Sequence, residues 1–328
     1  MQDKIAVIGA GSWGTALASL LGSSGYAVTL YAFEDEVIKG VSENNENPLF
    51  LQGIKLSANV SAKSFGDISA MTEKHIVWAV PTQFSRRVAE ANKEALKGKD
   101  IIIATKGIEI ATGKLVIEML SESADAEYSI ISGPSFAKEV ALGKPTAVSV
   151  ASKDIKRAEW WQCTFSAPAF RCYYTEDVTG VEIGGAIKNV IAVAAGISDG
   201  LGFGHNARAG LITRGLAEIT RLGVAMGAKA ETFMGLSGMG DLVLTCTGDL
   251  SRNRQVGLKL AEGFAIEEIT GKMNMIAEGV YTAKAAYAYA EKAGIEMPIT
   301  EQVYKVIYEN KNPRDSVMAL MERPLKKE

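Results

Sequence analysis

The sequence has few of the residues on which metal centres and disulfide scaffolds depend. It contains three cysteines, Cys163, Cys172 and Cys246, which are widely spaced and odd in number. This pattern argues against a disulfide framework and against a zinc knuckle. The two histidines, His75 and His205, are too few and too scattered for a histidine-based metal centre. We therefore expect no metal at the functional site.

The chain also lacks a strong net charge, and a long hydrophobic run is not expected in it. Its 35 basic and 38 acidic side chains give a formal charge of −3, too small to attract nucleic acid or an anionic membrane. We expect no apolar stretch near the roughly 20 residues that span a bilayer, and the first residues do not resemble a signal peptide. The sequence thus predicts a cytoplasmic protein with no nucleic-acid partner and no integral membrane association.

Glycine, in contrast, is abundant. It accounts for 33 of 328 residues, about 10% against a usual ~7%, and it has no collagen periodicity. Many tight turns and close backbone approaches are therefore expected. The hydrophobic share of 47% and the charged share of 22% are typical of a globular protein. The length predicts two domains, with one large α/β unit as the alternative.

The first half of the chain alternates strand-like runs with helical or loop segments. The runs lie at residues 4–8, 27–32, 75–80, 100–104, 128–131 and 147–151. Strands that alternate with helices favour a parallel, doubly wound sheet. After about Asp177 the strand-like runs nearly vanish and helical patterns replace them. We therefore predict an α/β domain over residues 1–181 and a helical domain over residues 182–328.

A glycine motif follows the first strand-like run and precedes a helical segment. Gly9, Gly11 and Gly14 have the spacing of a dinucleotide-binding loop. Such glycines permit a tight turn, let the backbone approach a pyrophosphate and allow close helix–strand packing, while the helix N-terminus meets the phosphates. A purely structural glycine turn is the alternative. The acidic segment Phe33-Glu34-Asp35 after the second run favours NAD over NADP, although a surface acidic turn has the same pattern.

Two lysines are candidates for chemistry. Lys188 lies in one of the most apolar segments of the chain, where burial would lower the pKa of its ammonium toward a value useful for proton transfer. A position on a surface stripe of the helix is the alternative. Its neighbour Asn189 points about 100° away on a helix. Lys106 follows a strand-like run, at the end where ligands bind in open sheets, and a solvated loop lysine is the alternative.

A glycine-rich region later in the chain suits a phosphate. It carries a carboxylate, hydroxyls, an amide and two guanidiniums, at Asp241, Thr245, Ser251, Arg252, Asn253 and Arg254. Arginine offers forked donors that match phosphate oxygens, and serine and asparagine can complete the oxygen shell. A helix N-cap at Ser251 followed by an exposed arginine would have the same pattern.

Several of these motifs occur together and in order. They are GAGSWGTALA, KGIE, ISGPSFAKEV, GVEIGGAIKNVIAVAAG, GMGDL and SRNRQVG. Over nearly the whole chain the sequence resembles the NAD(P)-dependent glycerol-3-phosphate dehydrogenase family. The resemblance implies an N-terminal Rossmann domain and a C-terminal helical domain of the 6-phosphogluconate dehydrogenase type. It also implies a homodimer that interconverts dihydroxyacetone phosphate and sn-glycerol 3-phosphate, for glycerophospholipid synthesis.

The resemblance also assigns roles to individual residues. Lys188 resembles the catalytic proton acceptor, and Lys106 the lysine that helps to polarise and orient the carbonyl. Asp241 resembles the residue that orients the catalytic lysine or the substrate hydroxyl. The implied substrate contacts are Lys106, Gly133, Ser135, Asn189, Asp241, Thr245, Ser251, Arg252 and Asn253. The implied cofactor contacts are Gly9, Gly11, Ser12, Trp13, Gly14, Phe33, Lys106, Ala137, Arg252, Ile276 and Glu278.

One departure from the family pattern concerns the cofactor. Many bacterial members have His or Arg just after the second strand, whereas Phe33-Glu34-Asp35 is similar to the eukaryotic, NAD-using branch. Either NAD or NADP is therefore expected, with NAD favoured. Two other functions stay open: another hydroxyacid dehydrogenase of the same architecture, and a catalytically silent NAD-binding module. The set of Lys106, Lys188 and Asp241 argues against the silent module.

Overall fold

The computed structural model describes residues 4–273, 276–325 and 327. The chain forms two compact units. The first consists of Met1–Lys106 and Lys114–Glu182, and the second of Gly107–Gly113 and Ile183–Glu328. The sequence-based limits, 1–181 and 182–328, stay a prediction about two functional domains. The structure adds that the short segment 107–113 is grouped with the second unit.

The first unit is built on an eight-stranded sheet. Its strands are β1 Lys4–Ile8, β2 Ala27–Ala32, β3 Val60–Ser64, β4 His75–Trp78, β5 Asp100–Ile103, β6 Glu127–Ser132, β7 Thr146–Ala151 and β8 Phe170–Thr175. Their order is β3-β2-β1-β4-β5-β6-β7-β8. All pairs are parallel except β6–β7, which is antiparallel. The predicted doubly wound α/β fold is confirmed.

Helices cover both faces of this sheet, and a second set of helices forms most of the second unit. Those of the first unit are α1 Ser12–Ser23, α2 Asp35–Asn44, α3 Thr82–Ala91, α4 Lys93–Leu96, α5 Val116–Ser123, α6 Ala137–Ala141 and α7 Ile155–Phe165, with a 3₁₀ turn at Phe65–Ala70. Then follow α8 Val178–Gly200, α9 Gly204–Ala225, α10 Asp241–Thr247, α11 Arg252–Ala261, α12 Ile266–Gly271, α13 Glu278–Ala293, α14 Pro298–Tyr308 and α15 Pro313–Met321. A 3₁₀ turn at Ala230–Met234 and a π turn at Leu236–Gly240 precede α10. α8 begins in the first unit and continues into the second.

Burial on both faces explains the apolar strands. In β1, Ile5 and Val7 pack into one hydrophobic cluster and Ala6 and Ile8 into another. A strand that is covered on both faces has no exposed face for polar side chains, so its sequence is a continuous run of apolar residues. The carboxyl ends of the parallel strands β1, β2, β4, β5 and β6 lie along the same side of the sheet. From β1 the chain adds β2 and β3 in one direction and then β4, β5 and β6 in the other. Ligands bind at these carboxyl ends in open α/β sheets.

The expectation that no apolar stretch could span a bilayer was wrong. α8 is long and apolar enough to cross a membrane by length and composition. Almost all of its apolar stretch is, however, buried inside the protein. Helices that are hydrophobic on all sides also occur in protein cores, and α8 has that environment here.

Candidate active site

The glycine loop joins β1 to α1, and each of its three glycines has a different environment. Gly9 has a φ of +109°, and a Cβ there would lie 2.6 Å from the carbonyl carbon of Ala79. A Cβ at Gly14 would overlap the carbonyl oxygen of Gly9. At Gly11, by contrast, a Cβ would meet nothing within 4 Å. Gly9 and Gly14 therefore allow the backbone to pack closely, and Gly11 leaves open space at the N-terminus of α1.

This geometry fits a dinucleotide. A pyrophosphate needs close access to the backbone and to the unpaired N–H groups of a helix N-terminus, and Gly11 stands in the N-cap position of α1. Ser12 and Trp13 form the first turn of the same helix. Ala137 begins α6, which packs against α1.

Asn47 supports the glycine loop, a role that the motif does not reveal. Its fully buried side chain donates from Nδ2 to the carbonyl of Ala10 and to Oγ1 of Thr15, at 2.8 Å each. Its Oδ1 accepts from the backbone N–H of Phe50 at 3.0 Å, and Ser12 Oγ donates to the Phe50 carbonyl at 2.7 Å. Segment 47–50 therefore supports the glycine loop, although Asn47 follows Ala10 and Thr15 by more than thirty residues in the sequence. Sequence spacing gives no indication of such a contact.

The segment after β2 is largely exposed and carries acidic side chains. Phe33 is exposed and its ring meets that of Phe65 edge-on, with centroids 6.3 Å apart. Glu34 is the N-cap residue of α2, and Asp35 and Glu36 form the acidic first turn of that helix. The negative charge thus lies at the carboxyl end of the strand next to the glycine loop.

Lys106 follows β5 and is linked to the end of β6. Its Nζ donates to the carbonyl of Gly133 at 3.4 Å, and Ser135 Oγ donates to the same carbonyl at 2.9 Å. The structure thus brings Lys106, Gly133 and Ser135 together, although the first is separated from the others by 27 residues or more. Its ammonium lies at the edge of the sheet where the parallel strands β5 and β6 end.

In the second unit, Lys188 forms a buried ion pair. Its Nζ donates to Asp241 Oδ1 at 2.6 Å and to Thr245 Oγ1 at 2.8 Å. Lys188 is 7% exposed and Asp241 1%. Burying an ammonium is costly without a partner, so the Asp241 carboxylate compensates a charge that the apolar surroundings alone could not hold. Thr245 Oγ1 also donates to the Asp241 carbonyl at 2.6 Å, which fixes the hydroxyl.

A close backbone approach brings this pair together. Gly184 lies one turn before Lys188 on α8, and a Cβ there would lie 2.5 Å from the carbonyl oxygen of Ser237. Ser237 belongs to the π turn Leu236–Gly240 that leads directly into α10 and Asp241. The glycine at position 184 therefore lets the π turn reach α8. π turns are rare and are often found at functional sites.

Asn189 and Asn253 form a second buried link between the helices. Asn253 Nδ2 donates to Asn189 Oδ1 at 2.9 Å, and Asn253 Oδ1 accepts from the Gly279 N–H at 2.9 Å. Asn189 Nδ2 donates to the Gly185 carbonyl at 3.3 Å. These bonds join α8, α11 and α13. Both residues therefore have a structural role, and their predicted contact with substrate stays a prediction.

The first turn of α11 carries the residues that are predicted to bind the substrate phosphate. Ser251 is the N-cap and its Oγ accepts from the Arg254 N–H at 3.3 Å, as the N-cap interpretation of the sequence anticipated. Arg252 is exposed, and its Nη1 donates to the carbonyl of Ile276 at 2.8 Å. Glu278, which begins α13, supplies a negative charge near the same guanidinium.

Two family models match the chain. The N-terminal model of NAD-dependent glycerol-3-phosphate dehydrogenase matches residues 4–158, and the C-terminal model matches residues 177–318. The chain belongs to the NAD-dependent glycerol-3-phosphate dehydrogenase family. The match to the C-terminal model includes Lys188, Asp241 and Arg252, and the match to the N-terminal model includes the glycine loop and Lys106. The family expected from the motifs is confirmed.

Curated relatives and solved structures agree with this family. A glycerol-3-phosphate dehydrogenase (NAD(P)+) of Citrifermentans bemidjiense is 53% identical over 100% of this chain and 99% of its own. The crystal structure of glycerol-3-phosphate dehydrogenase from Coxiella burnetii has a TM-score of 0.93 and 39% identity, over 98% of this chain and 99% of that one. The enzyme of Saccharomyces cerevisiae has a TM-score of 0.82 and 28% identity, over 98% and 100%.

In this glycerol-3-phosphate dehydrogenase family member the predicted site residues fall into two groups, one in each unit. The first unit holds the glycine loop and the Lys106 group, and the second holds Lys188 and the first turn of α11. Burial raises the pKa of the Cys246 thiol, next to Thr245, to about 12, so this thiol is protonated near neutral pH. Within residues 4–273, 276–325 and 327, no cluster of three His, Cys, Asp or Glu side chains could hold a metal ion.

Proposed function

We propose that the chain is an NAD(P)-dependent glycerol-3-phosphate dehydrogenase that interconverts dihydroxyacetone phosphate and sn-glycerol 3-phosphate. The observation that carries this proposal is the buried Lys188–Asp241–Thr245 group. It presents one ammonium, held by a carboxylate and a hydroxyl, in a helical unit that matches the family's C-terminal model. A silent binding module has no need to bury such a group at the cost of desolvating two charges.

In this proposal each residue group has a defined task. When bound, the nicotinamide cofactor supplies or accepts the hydride. Lys188 donates a proton to the oxygen of the ketone in the reducing direction and accepts it in the other. Asp241 and Thr245 orient the lysine through the two hydrogen bonds to its Nζ. Lys106 places positive charge where negative charge grows on the carbonyl oxygen.

Binding residues hold the two reactants. Gly9, Gly11, Ser12, Trp13 and Gly14 take the cofactor phosphates. Further cofactor contacts are Phe33, Lys106, Ala137, Arg252, Ile276 and Glu278. Gly133, Ser135, Asn189, Ser251, Arg252 and Asn253 contact the substrate, with Arg252 on its phosphate. Phosphate binding at a distance from the reacting carbon contributes to orientation and thus to rate.

The cofactor preference and the setting of the enzyme are part of the same proposal. The acidic segment Glu34 to Glu36 repels a 2′-phosphate and favours NAD over NADP. We propose that the enzyme works in the cytoplasm as a homodimer and provides sn-glycerol 3-phosphate for glycerophospholipid synthesis. Family membership supports the cytoplasmic setting, the homodimer and the role in glycerophospholipid synthesis. We also propose that residues 1–181 act as the cofactor domain and residues 182–328 as the substrate domain.

A spectrophotometric assay tests the function. Purified enzyme is mixed with dihydroxyacetone phosphate and either NADH or NADPH, and the loss of reduced-nicotinamide absorbance is followed. We expect oxidation of both cofactors, with a higher kcat/KM for NADH. If neither cofactor is oxidised, the proposed function is wrong.

The Lys188→Ala variant tests the proton donor. We expect kcat to fall by at least roughly a hundredfold, because a positioned acid–base group contributes that much or more. NADH binding, measured by fluorescence titration, should be retained. Lys259→Ala is the matched control, since Lys259 is an exposed lysine of α11 that pairs with Glu262 just after the helix. Wild-type turnover in Lys188→Ala would remove this lysine from its role.

A further inference from the structure

Asp199 lies in the last turn of α8, eleven residues beyond Lys188, and binds two arginines at once. Its Oδ2 accepts from Arg254 Nε and lies 2.8 Å from both Nε and Nη2 of that side chain. The same oxygen accepts from Arg208 Nη1 at 3.0 Å. The side chains of Asp199, Arg254 and Arg208 are 11%, 12% and 20% exposed. The function proposed above uses none of these three groups.

The helices α8 and α11 touch backbone to backbone beside this ion pair. A Cβ at Gly196 would overlap the carbonyl oxygen of Arg254, and a Cβ at Gly257 would overlap that of Val193. Such contact sets the separation of the two helices. It does not by itself fix the rotation or the position of the first turn of α11, because neither glycine has a side chain that interlocks with the other helix. Two side-chain contacts supply that constraint: the hydrogen bond from Asn253 to Asn189 and the ion pair between Asp199 and Arg254.

Arg254 and Arg252 serve different purposes although both are guanidiniums in one helical turn. Residues two apart point about 200° away from each other on an α-helix. Arg254 faces α8, where its guanidinium pairs with Asp199. The backbone N–H of Arg254 donates to Oγ of Ser251, the N-cap residue. Arg252 faces the opposite way, is exposed, and donates to Ile276. The turn that carries Arg252 is therefore tied to α8 through Arg254 as well as through Asn253.

We propose that Asp199 is a positioning residue for substrate phosphate: through Arg254 it fixes the first turn of α11, and with it Arg252, against the helix that carries Lys188. This inference rests on the proposed function, since it assumes that Arg252 binds the phosphate. It assigns Asp199 no contact with substrate.

Steady-state kinetics of Asp199→Asn test the proposal. Asparagine keeps the shape but loses the buried charge that pairs with Arg254, so the turn that carries Arg252 keeps its link through Asn253 and the exposed contact of Arg254 with Asp249 but is held less precisely. We expect KM for dihydroxyacetone phosphate to rise roughly tenfold, because small misplacements of binding groups are costly, while kcat changes far less. Arg254→Lys serves as a second variant. Lysine retains a positive charge opposite Asp199 but loses the paired contact that Nε and Nη2 of Arg254 make with Asp199 Oδ2. Arg254→Lys should therefore show the same rise in KM.

Arg208→Gln is the matched control. It removes the other arginine from the same carboxylate, but Arg208 lies on α9 and leaves α11 tied to Asp199. KM should stay at the wild-type value. A double variant separates positioning from general structural support: in an Arg252→Ala background, Asp199→Asn should raise KM little further, because coupled residues are not additive.

The outcomes separate two failures. If the wild type oxidises NADH with dihydroxyacetone phosphate but Asp199→Asn and Arg254→Lys lower only the melting temperature and leave KM unchanged, the positioning role is wrong. Full additivity with Arg252→Ala would overturn it as well. If the wild type shows no turnover at all, the proposed function fails and this inference fails with it.

Discussion

At the scale of single residues, environment separates side chains that look equivalent in the sequence. Lys188 is buried against Asp241, whereas Arg252 belongs to an exposed residue position, donates to the Ile276 carbonyl and lies near Glu278. Arg254, two positions further on, forms an internal ion pair. Arg254 donates to two carboxylates, those of Asp199 and Asp249, whereas the described hydrogen bond of the Arg252 guanidinium goes to a backbone carbonyl. This difference supports the proposed role of Arg252 as the phosphate contact.

Arg252→Ala tests that assignment. We expect KM for dihydroxyacetone phosphate to rise roughly 10- to 100-fold, because a hydrogen bond to a charged group contributes about 1.5–3 kcal/mol. The effect on kcat should be smaller, since Arg252 does not contact the reacting carbon. Steady-state kinetics at saturating NADH provide the measurement. Arg314→Ala, at an exposed arginine that lies over the Phe203 ring, is the control, and an unchanged KM in Arg252→Ala would contradict the assignment.

At the scale of elements, the sequence predicted the buried strands better than the exposed ones. β1, β4 and β5 have strong apolar runs because both of their faces are covered. β3 and β8 were missed, and they are the two edges of the sheet. Their sequences VSAKS and FRCYYT alternate buried with exposed residues, which weakens the apolar pattern. The helical nature of the second unit followed correctly from its composition.

The candidate site shows the same limit. The motifs singled out Lys106, Lys188, Asp241 and Arg252 as candidates, because charged residues next to glycine-rich or apolar segments are visible in a sequence. The sequence did not point to Asn47 or Asp199, since the contact of Asn47 with the glycine loop and the proposed role of Asp199 depend on hydrogen bonds to residues that are distant in the chain. Local patterns carry no information about such pairings.

The glycine loop gives a prediction that separates stability from binding. Gly11→Ala places a methyl group in open space, so the free energy of unfolding should change little while NADH affinity falls. Gly14→Ala forces a Cβ onto the Gly9 carbonyl oxygen and should lower the free energy of unfolding by about 2 kcal/mol. Denaturant titration and NADH fluorescence titration measure the two quantities. Equal losses of stability in both variants would refute this division.

At the scale of the whole molecule, both units use a buried glutamate to hold a helix N-terminus. Glu182 accepts from the Ile117 N–H in the first turn of α5, at 3.0 Å. Glu218 accepts from the Ile299 N–H at 2.6 Å and from the Thr300 N–H at 3.1 Å, in the first turn of α14. Burial raises the pKa of each carboxyl to about 7, although these hydrogen bonds oppose the shift.

These raised values predict how stability varies with pH. An unfolded glutamate loses its proton near pH 4.5, whereas the folded one keeps it until about pH 7. Between these limits the native state binds more protons than the unfolded state, so the contribution to the free energy of unfolding falls as pH rises. Glu218→Gln should remove part of this slope. Denaturant unfolding at several pH values across the interval provides the measurement.

Thr300→Ala is the control for that experiment. It removes the hydroxyl that donates to Glu218 at 3.1 Å but leaves the carboxyl able to titrate. Its unfolding free energy should be lower at every pH, with the slope retained. A slope in Glu218→Gln equal to that of the wild type would show that this carboxyl does not titrate in the interval.

The grouping of segment 107–113 with the second unit has a consequence for recombining relatives. The chain leaves the first unit after Lys106, returns at Lys114 and leaves again after Glu182. A chimaera joined only at residue 182 would therefore combine this segment from one parent with a helical unit from the other. Exchange of cofactor modules between relatives should succeed more often when residues 107–113 are inherited with the helical unit, because their packing partners then come from the same parent.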